Sequence, residues 1–234
     1  MHIDKTRIFP YNDHGDTMKT YDYILFDFDG TLSQSAYGVR KCIELTLEEM
    51  KRPIPDLSDY SKYIGPPLTR TFEKLCGLSR EESLYALPIY RRYYNEVGVR
   101  ENRLFDGVED LLKALKAAGK KLAVCTSKNE TLAVKSMEAI HALPYFDAVC
   151  GSMDDGSRKI KKDLIPYALS ALGCSDKEKA VMIGDTFFDA EGARLCDVDF
   201  IGVLYGYGDR DSMSDYGATV FAETPDNLHK LLIK

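Results

Sequence analysis

Two short stretches of the chain bring carboxylates together with the spacing of a reaction centre. Asp27 and Asp29 stand in Asp-Phe-Asp-Gly-Thr at 27–31, and Asp185 and Asp189 stand in Gly-Asp-Thr-Phe-Phe-Asp at 184–189. Thr126 closes an apolar run, and a basic stretch, Ser157-Arg158-Lys159-Ile160-Lys161-Lys162, lies between it and the second pair. Two like charges about 4 Å apart repel by about 4 kcal/mol at an effective dielectric of about 20. Four carboxylates converging on one site therefore require a cation or bound protons. An all-oxygen donor set suits Mg2+. A hydroxyl and an ammonium beside such an ion are donors for the non-bridging oxygens of a phosphoryl group. One carboxylate can attack phosphorus. A second can protonate the leaving alkoxide and then activate water. Plainer readings stand beside these. Asp-x-Asp-Gly-Thr after a strand is also a turn, Asp189 also fits the N-cap of a helix starting near Ala190, and Thr126 also fits a buried strand end.

These segments meet only if the strands that carry them run parallel. Tyr21–Phe26, Lys121–Thr126, Ala148–Gly151, Ala180–Ile183 and Phe200–Leu204 are near-continuous apolar runs, the pattern of strands buried on both faces. Helical patterns alternate with them over Val108–Ala118, Glu130–Ile140, Leu164–Leu172 and Ala190–Leu195. Gly119 and Gly173 suit helix C-caps, and Thr224-Pro225 opens a last helix. The expected fold is α/β, a doubly wound, Rossmann-like parallel-sheet core, in which ligands bind at the carboxyl ends of the strands.

Between Ser35 and Phe105 no strand-like run occurs. Helical patterns fill it instead: Ala36–Met50, Ser58–Ile64, Pro67–Cys76 and Arg80–Val97, with a kink expected at Pro88. The division that follows is an N-terminal extension (1–20), an α/β core (21–35 and 105–234) and an inserted all-α cap (36–104). Within the cap, Arg91-Arg92-Tyr93-Tyr94 reads as packing and solvated surface. Gly65-Pro66-Pro67 reads as a rigid turn with Pro67 at or near the first helical position, its N–H groups available to an anion.

The 234 residues carry 31 Lys+Arg against 37 Asp+Glu, a net charge of −6 that suits no nucleic-acid polymer as a partner. No apolar run approaches a membrane span, and the first residues lack an apolar signal core. The six cysteines are scattered without metal spacing, as expected of reduced thiols in a cytoplasmic protein. The histidines show no metal spacing either.

The four marks occur in an order that resembles the haloacid dehalogenase-like superfamily of phosphohydrolases. The insert looks like that family's C1 cap. Ile64-Gly65-Pro66-Pro67-Leu68 and Gly202-Val203-Leu204-Tyr205-Gly206-Tyr207-Gly208 are similar to its phosphoglycolate-phosphatase-type subgroup. The resemblance implies a Mg2+-dependent phosphatase acting on a small, phosphoglycolate-like phosphomonoester through an aspartyl phosphate. It makes Asp27 the nucleophile and a metal ligand. Asp29 becomes the general acid/base and contributes its backbone carbonyl to the metal. Thr126 binds the phosphoryl group, Asp185 is the third protein ligand, and Asp189 orients the metal's waters or binds it less directly. Gly30, Thr31, Ser127 and Gly65 are assigned to the substrate.

Two departures matter. Ser-Lys follows Thr126 where some relatives have Asn-Lys, and the basic stretch lacks the Lys-Pro-x-Pro form. The phosphate lysine must then be chosen among Lys159, Lys161 and Lys162, with Lys128 an outsider. Pro166 fits only the first turn of a helix, which puts the helix start near Asp163 or Leu164 and Lys161 at the inner end of the loop. Alternatives on the same scaffold are a nucleoside 5′-monophosphate phosphatase and a phosphomutase. C–halogen hydrolysis is disfavoured because a halide needs no proton from Asp29. A receiver-like phospho-aspartate module is disfavoured because a lid suits turnover of a small substrate.

Overall fold

The computed structural model describes residues 19–153, 155 and 157–233, so the expected N-terminal extension lies outside the described residues except for Lys19 and Thr20. In chain order the elements are β1 (Tyr23–Phe26), α1 (Ala36–Glu49), α2 (Leu68–Lys74), α3 (Arg80–Glu96), α4 (Val108–Ala117), β2 (Lys121–Asn129), α5 (Glu130–Ala139), β3 (Ala148–Ser152), α6 (Lys161–Ala171), β4 (Ala180–Gly184), α7 (Phe187–Cys196), β5 (Asp199–Val203), α8 (Arg210–Ser214), β6 (Val220–Ala222) and α9 (Pro225–Leu232).

The strands form one parallel sheet in the order β3-β2-β1-β4-β5-β6. Alternate side chains explain the continuous apolar runs. Ile24 and Phe26 of β1 join Val124, Ile183, Leu112 and Leu228 on one face, while Leu25 joins Ala123, Met182, Leu164 and Ala193 on the other. Helices α4 and α9 cover the first face and α6 and α7 the second, the doubly wound arrangement expected. The chain leaves β1 toward β2 on one side and meets β4 on the other. That reversal opens a crevice at the carboxyl ends of β1 and β4.

Helices α1 to α3 build a separate apolar cluster from Val39, Ile43, Leu47, Phe72, Tyr90 and Tyr94, joined by Leu132 of α5. Ser79 caps α3 in a capping box with Glu82. Pro88 lies on the exposed side of α3, inside a continuous helix. Two crossing strands of chain join this cluster to the sheet side by side. Ser33 bridges Leu104, and the Gln34 N–H donates to the Arg103 carbonyl at 2.8 Å. No helix among the described residues is long and apolar enough to cross a membrane.

Several local expectations are corrected. The segment 58–64 holds only a 3-10 turn, Tyr60–Lys62. Pro67 is the N-cap of α2 rather than its first helical residue, with an extended ψ of 136°. Helix α6 starts at Lys161, two residues before the earliest start expected, and Pro166 lies in its second turn. The carbonyl of Lys162, which Pro166 cannot pair, instead accepts the Cys196 thiol at 3.4 Å. Tertiary packing thus gives a donor to the carbonyl that a proline at this depth leaves without its helical partner. β6 and α8 went unread because each is too short to show a period. Gly119 (φ 73°) and Gly173 (φ 69°) follow α4 and α6 in the left-handed conformation expected of C-caps.

Candidate active site

Asp27 and Asp185 leave the ends of neighbouring strands. Phe26 of β1 pairs with Ile183 of β4, and the Asp27 N–H donates to the Ile183 carbonyl at 2.8 Å. Asp189 arrives from the first turn of α7. It is not the N-cap: its Oδ2 accepts the N–H (3.1 Å) and the hydroxyl (2.8 Å) of Thr186, which precedes α7. The three carboxylates each offer an oxygen within 4.8 Å of the others, and all three are buried.

Lys161 is the cation among them. Its Nζ lies 2.8 Å from Asp27 Oδ1 and 2.6 Å from Asp189 Oδ1, and it donates to the Cys125 carbonyl at 2.6 Å. Of the three candidate lysines, Lys161 is the one placed among these carboxylates, from the first turn of α6 rather than from the loop before it. Lys159 and Lys162 are exposed.

Burial pushes the Asp27 carboxyl up to about 6, against the pull of Lys161 and with the charges of Asp189 and Asp29 adding to the rise. Burial and the charges of Asp189 and Asp27 also raise Asp185 well above the usual carboxylate range, against hydrogen bonds from Tyr207 and Thr31. For Lys161 burial works toward deprotonation, but Asp189 and Asp27 outweigh it and hold the ammonium. Fully ionised, three carboxylates against one ammonium would leave two negative charges in a buried pocket, which is why burial favours the protonated forms of Asp27 and Asp185 until a cation arrives. Asp27 Oδ1 and Asp189 Oδ1 have no aligned hydrogen-bond donor; each faces Lys161 at ion-pair distance only. Hard oxygen donors, a deficit of two charges and uncompensated buried oxygens fit a divalent cation.

Asp29 adds no carboxylate to this cluster. Both its oxygens are taken by Lys128, at 2.9 and 3.0 Å. Thr126 is buried, and its hydroxyl accepts the Lys128 N–H at 3.3 Å. Asp27, Asp29, Thr126, Ser127 and Gly65 line one cavity of about 320 Å³. Gly30 and Thr31 are not among its walls and pack against Asp185 instead. Thr31 donates its hydroxyl to Asp185 Oδ1 at 3.2 Å, and a Cβ on Gly30, where φ is +87°, would overlap the Asp185 carboxylate. Both residues hold Asp185 in place.

The rest of the cavity wall comes from the insert and from the loop before α6. Tyr63, Leu68, Leu84, Leu87 and Tyr90 make it apolar, with Met153 and Leu132 opposite. Arg91 and Tyr94 also line it: Tyr94 packs as expected, whereas Arg91 is half-buried at the cavity rather than solvated, and Arg92 and Tyr93 turn outward to Glu49. Two other contributions escaped the sequence reading. The Tyr207 N–H donates to Asp185 Oδ2 at 2.8 Å, and the Tyr207 hydroxyl accepts the first N–H of α1 at 3.1 Å. The glycines flanking Tyr207 were the available signal: a Cβ on Gly206 or Gly208 would overlap Asp185.

Gly65 has a φ of +97°, and a Cβ there would lie 3.0 Å from the Thr186 methyl. Gly65→Val is expected to displace this loop from the cavity and raise KM about tenfold, with a smaller change in kcat. Steady-state kinetics checks it: an unchanged KM removes the loop from the site.

Comparison with known proteins agrees with this geometry. Residues 24–203 match the model of the family described as haloacid dehalogenase-like hydrolase. A 5′-nucleotidase of Pseudomonas aeruginosa is 34% identical over 93% of this chain and 98% of its own length. The tyrosine-protein kinase PtkA of Mycobacterium tuberculosis is 35% identical over 89% of this chain and 72% of its own. A phosphoglycolate phosphatase of Aquifex aeolicus is 34% identical over 79% and 85%. Among solved structures, a predicted phosphatase from Clostridium acetobutylicum superimposes with a TM-score of 0.84 at 37% identity, covering 90% of this chain and 97% of that one.

Proposed function

The chain belongs to the haloacid dehalogenase-like hydrolase family, and from that membership we propose that it is a Mg2+-dependent phosphatase of small phosphomonoesters. The observation that carries the reading is the buried triad of Asp27, Asp185 and Asp189 closed around Lys161. Asp27 attacks phosphorus, the bond to the leaving oxygen breaks, and an aspartyl phosphate forms. Asp29 gives a proton to the leaving oxygen and then takes one from the water that hydrolyses the intermediate. Thr126 and Ser127 donate to the phosphoryl oxygens, and Lys161 orients Asp27 while offsetting its charge. Asp27, Asp185 and the backbone carbonyl of Asp29, with Asp189 behind them, would hold Mg2+, which would supply positive charge to the phosphoryl oxygens. The insert, 36–104, acts as the cover that keeps bulk water from the core of 21–35 and 105–234. The six cysteines are free thiols, as a reducing compartment keeps them, and the cytoplasm is where we place the reaction.

Phosphoglycolate is the first substrate to test, and a nucleoside 5′-monophosphate the second. The apolar walls of Leu84, Leu87, Tyr90 and Met153 and the volume of about 320 Å³ favour the second, because a flat base fills such a space and a short carboxylate does not. A screen of phosphorylated metabolites ranked by kcat/KM decides between them. EDTA is expected to abolish turnover and Mg2+ to restore it. Ca2+ is expected to inhibit, since its larger and looser coordination spoils the alignment. Full activity after EDTA and exhaustive dialysis refutes the metal requirement. Transfer of the ATP γ-phosphate to protein tyrosine, with no hydrolysis of any phosphomonoester, refutes the phosphatase reading.

A further inference from the structure

We propose that Lys128 is a positioning residue that fixes where the Asp29 carboxylate sits, and that Tyr94 of α3 in turn fixes Lys128. The role given to Asp29 rests on the phosphatase reading; the clamp itself rests on geometry. Past Cys125, which pairs with Cys150, the register of β2 against β3 jumps to Asn129 opposite Ser152. Residues 126–128 therefore bulge, and bulges re-aim side chains. The Lys128 N–H folds back onto the Thr126 hydroxyl, and Gly151 makes room: a Cβ there would lie 2.7 Å from the Lys128 carbonyl oxygen.

The bulge turns Lys128 inward. Its side chain is only 7% exposed, and Nζ meets both oxygens of Asp29. The same Nζ stands 4.2 Å from the centre of the Tyr94 ring and 5.5 Å from that of Phe28. A buried ammonium is tolerated only when paired and seated on such faces, so Asp29, Lys128 and Tyr94 constrain one another. Tyr94 is itself anchored. Its hydroxyl accepts the Asn102 amide at 3.1 Å, and Asn102 accepts the Ser33 hydroxyl at 3.1 Å. Ser33 and Asn102 lie where the insert joins the sheet. One row of contacts thus runs from that junction, through α3, to the carboxylate beside the nucleophile.

The test uses substrates with different leaving groups. An alkoxide needs a proton from Asp29, whereas p-nitrophenolate leaves without one. In single turnovers, Lys128→Met is expected to slow phosphoryl transfer to Asp27 about a hundredfold from an alkyl phosphate and less than about threefold from p-nitrophenyl phosphate, while hydrolysis of the aspartyl phosphate slows alike for both, the signature of Asp29→Asn. Because Lys128 acts through Asp29, Lys128→Met/Asp29→Asn is expected to be no worse than Asp29→Asn alone. Equal losses in the transfer step from both substrates, or a double variant that falls further, overturn the proposal, because Lys128 then serves the substrate or the fold directly. If Lys128→Met does not fold, Lys128→Arg keeps the charge, and the same signature is expected at smaller amplitude. Crystal structures read the clamp without turnover: Asp29 is expected to leave its place in the Lys128 variant. A carboxylate that stays put overturns the clamp even if the wild type proves to hydrolyse nothing, an outcome that refutes the phosphatase reading separately.

Discussion

Asp27→Asn is expected to lower kcat by about 10⁴-fold or more while the protein stays folded. An amide keeps the shape of the side chain and cannot form the bond to phosphorus. The same substitution removes one of three buried like charges while Lys161 keeps Asp189 as a partner at 2.6 Å. The metal-free variant is therefore expected to melt at the wild-type temperature or above it, the usual exchange of function for stability at such sites. With one ionisable oxygen donor lost from the cluster, its affinity for Mg2+ is expected to fall. Phosphatase assays, thermal melts and calorimetric Mg2+ titrations check the three outcomes together. Turnover within tenfold of wild type sinks the covalent mechanism.

Lys161→Ala is expected to act in the opposite sense on stability. It strips Asp27 and Asp189 of their buried partner and leaves the Cys125 carbonyl without its donor. Breaking one side of a buried ion pair costs about 3–5 kcal/mol, which in a chain of this size lowers the melting temperature by about 10 °C. Turnover is expected to fall about 10³-fold, the scale for losing a preorganised charge at the reacting centre. No ammonium then competes for the carboxylates, so Mg2+ is expected to bind more tightly to the folded variant and to recover part of the lost stability. Lys159→Ala and Lys162→Ala, at exposed positions, are each expected to cost less than tenfold. If Lys159→Ala is the crippling variant instead, the ion pairs of Lys161 do not serve the reaction.

The sheet and most of the site's charges were legible in the chain because their signals are local. Continuous apolar runs such as Ala180–Gly184 follow from burial on both faces, and an acidic residue just past such a run marks a strand's carboxyl end. The glycines after α4 and α6 follow from backbone geometry that few other residues adopt. What the sequence could not supply was direction and partnership. Asp29 and Asp189 look alike along the chain, yet one clamps Lys128 and the other closes around Lys161. Which lysine meets which carboxylate depends on the bulge after Cys125 and on the start of α6, neither of which has a sequence period. Pro166 misled the helix register because its missing N–H is compensated by a thiol thirty residues away, at Cys196. Gly30, Thr31 and Tyr207 belong to Asp185 for the same reason. The hydrogen bonds of Thr31 and Tyr207 to Asp185 span 154 and 22 residues, and neither partner can be read from its own segment, because only the packed sheet brings the two within reach.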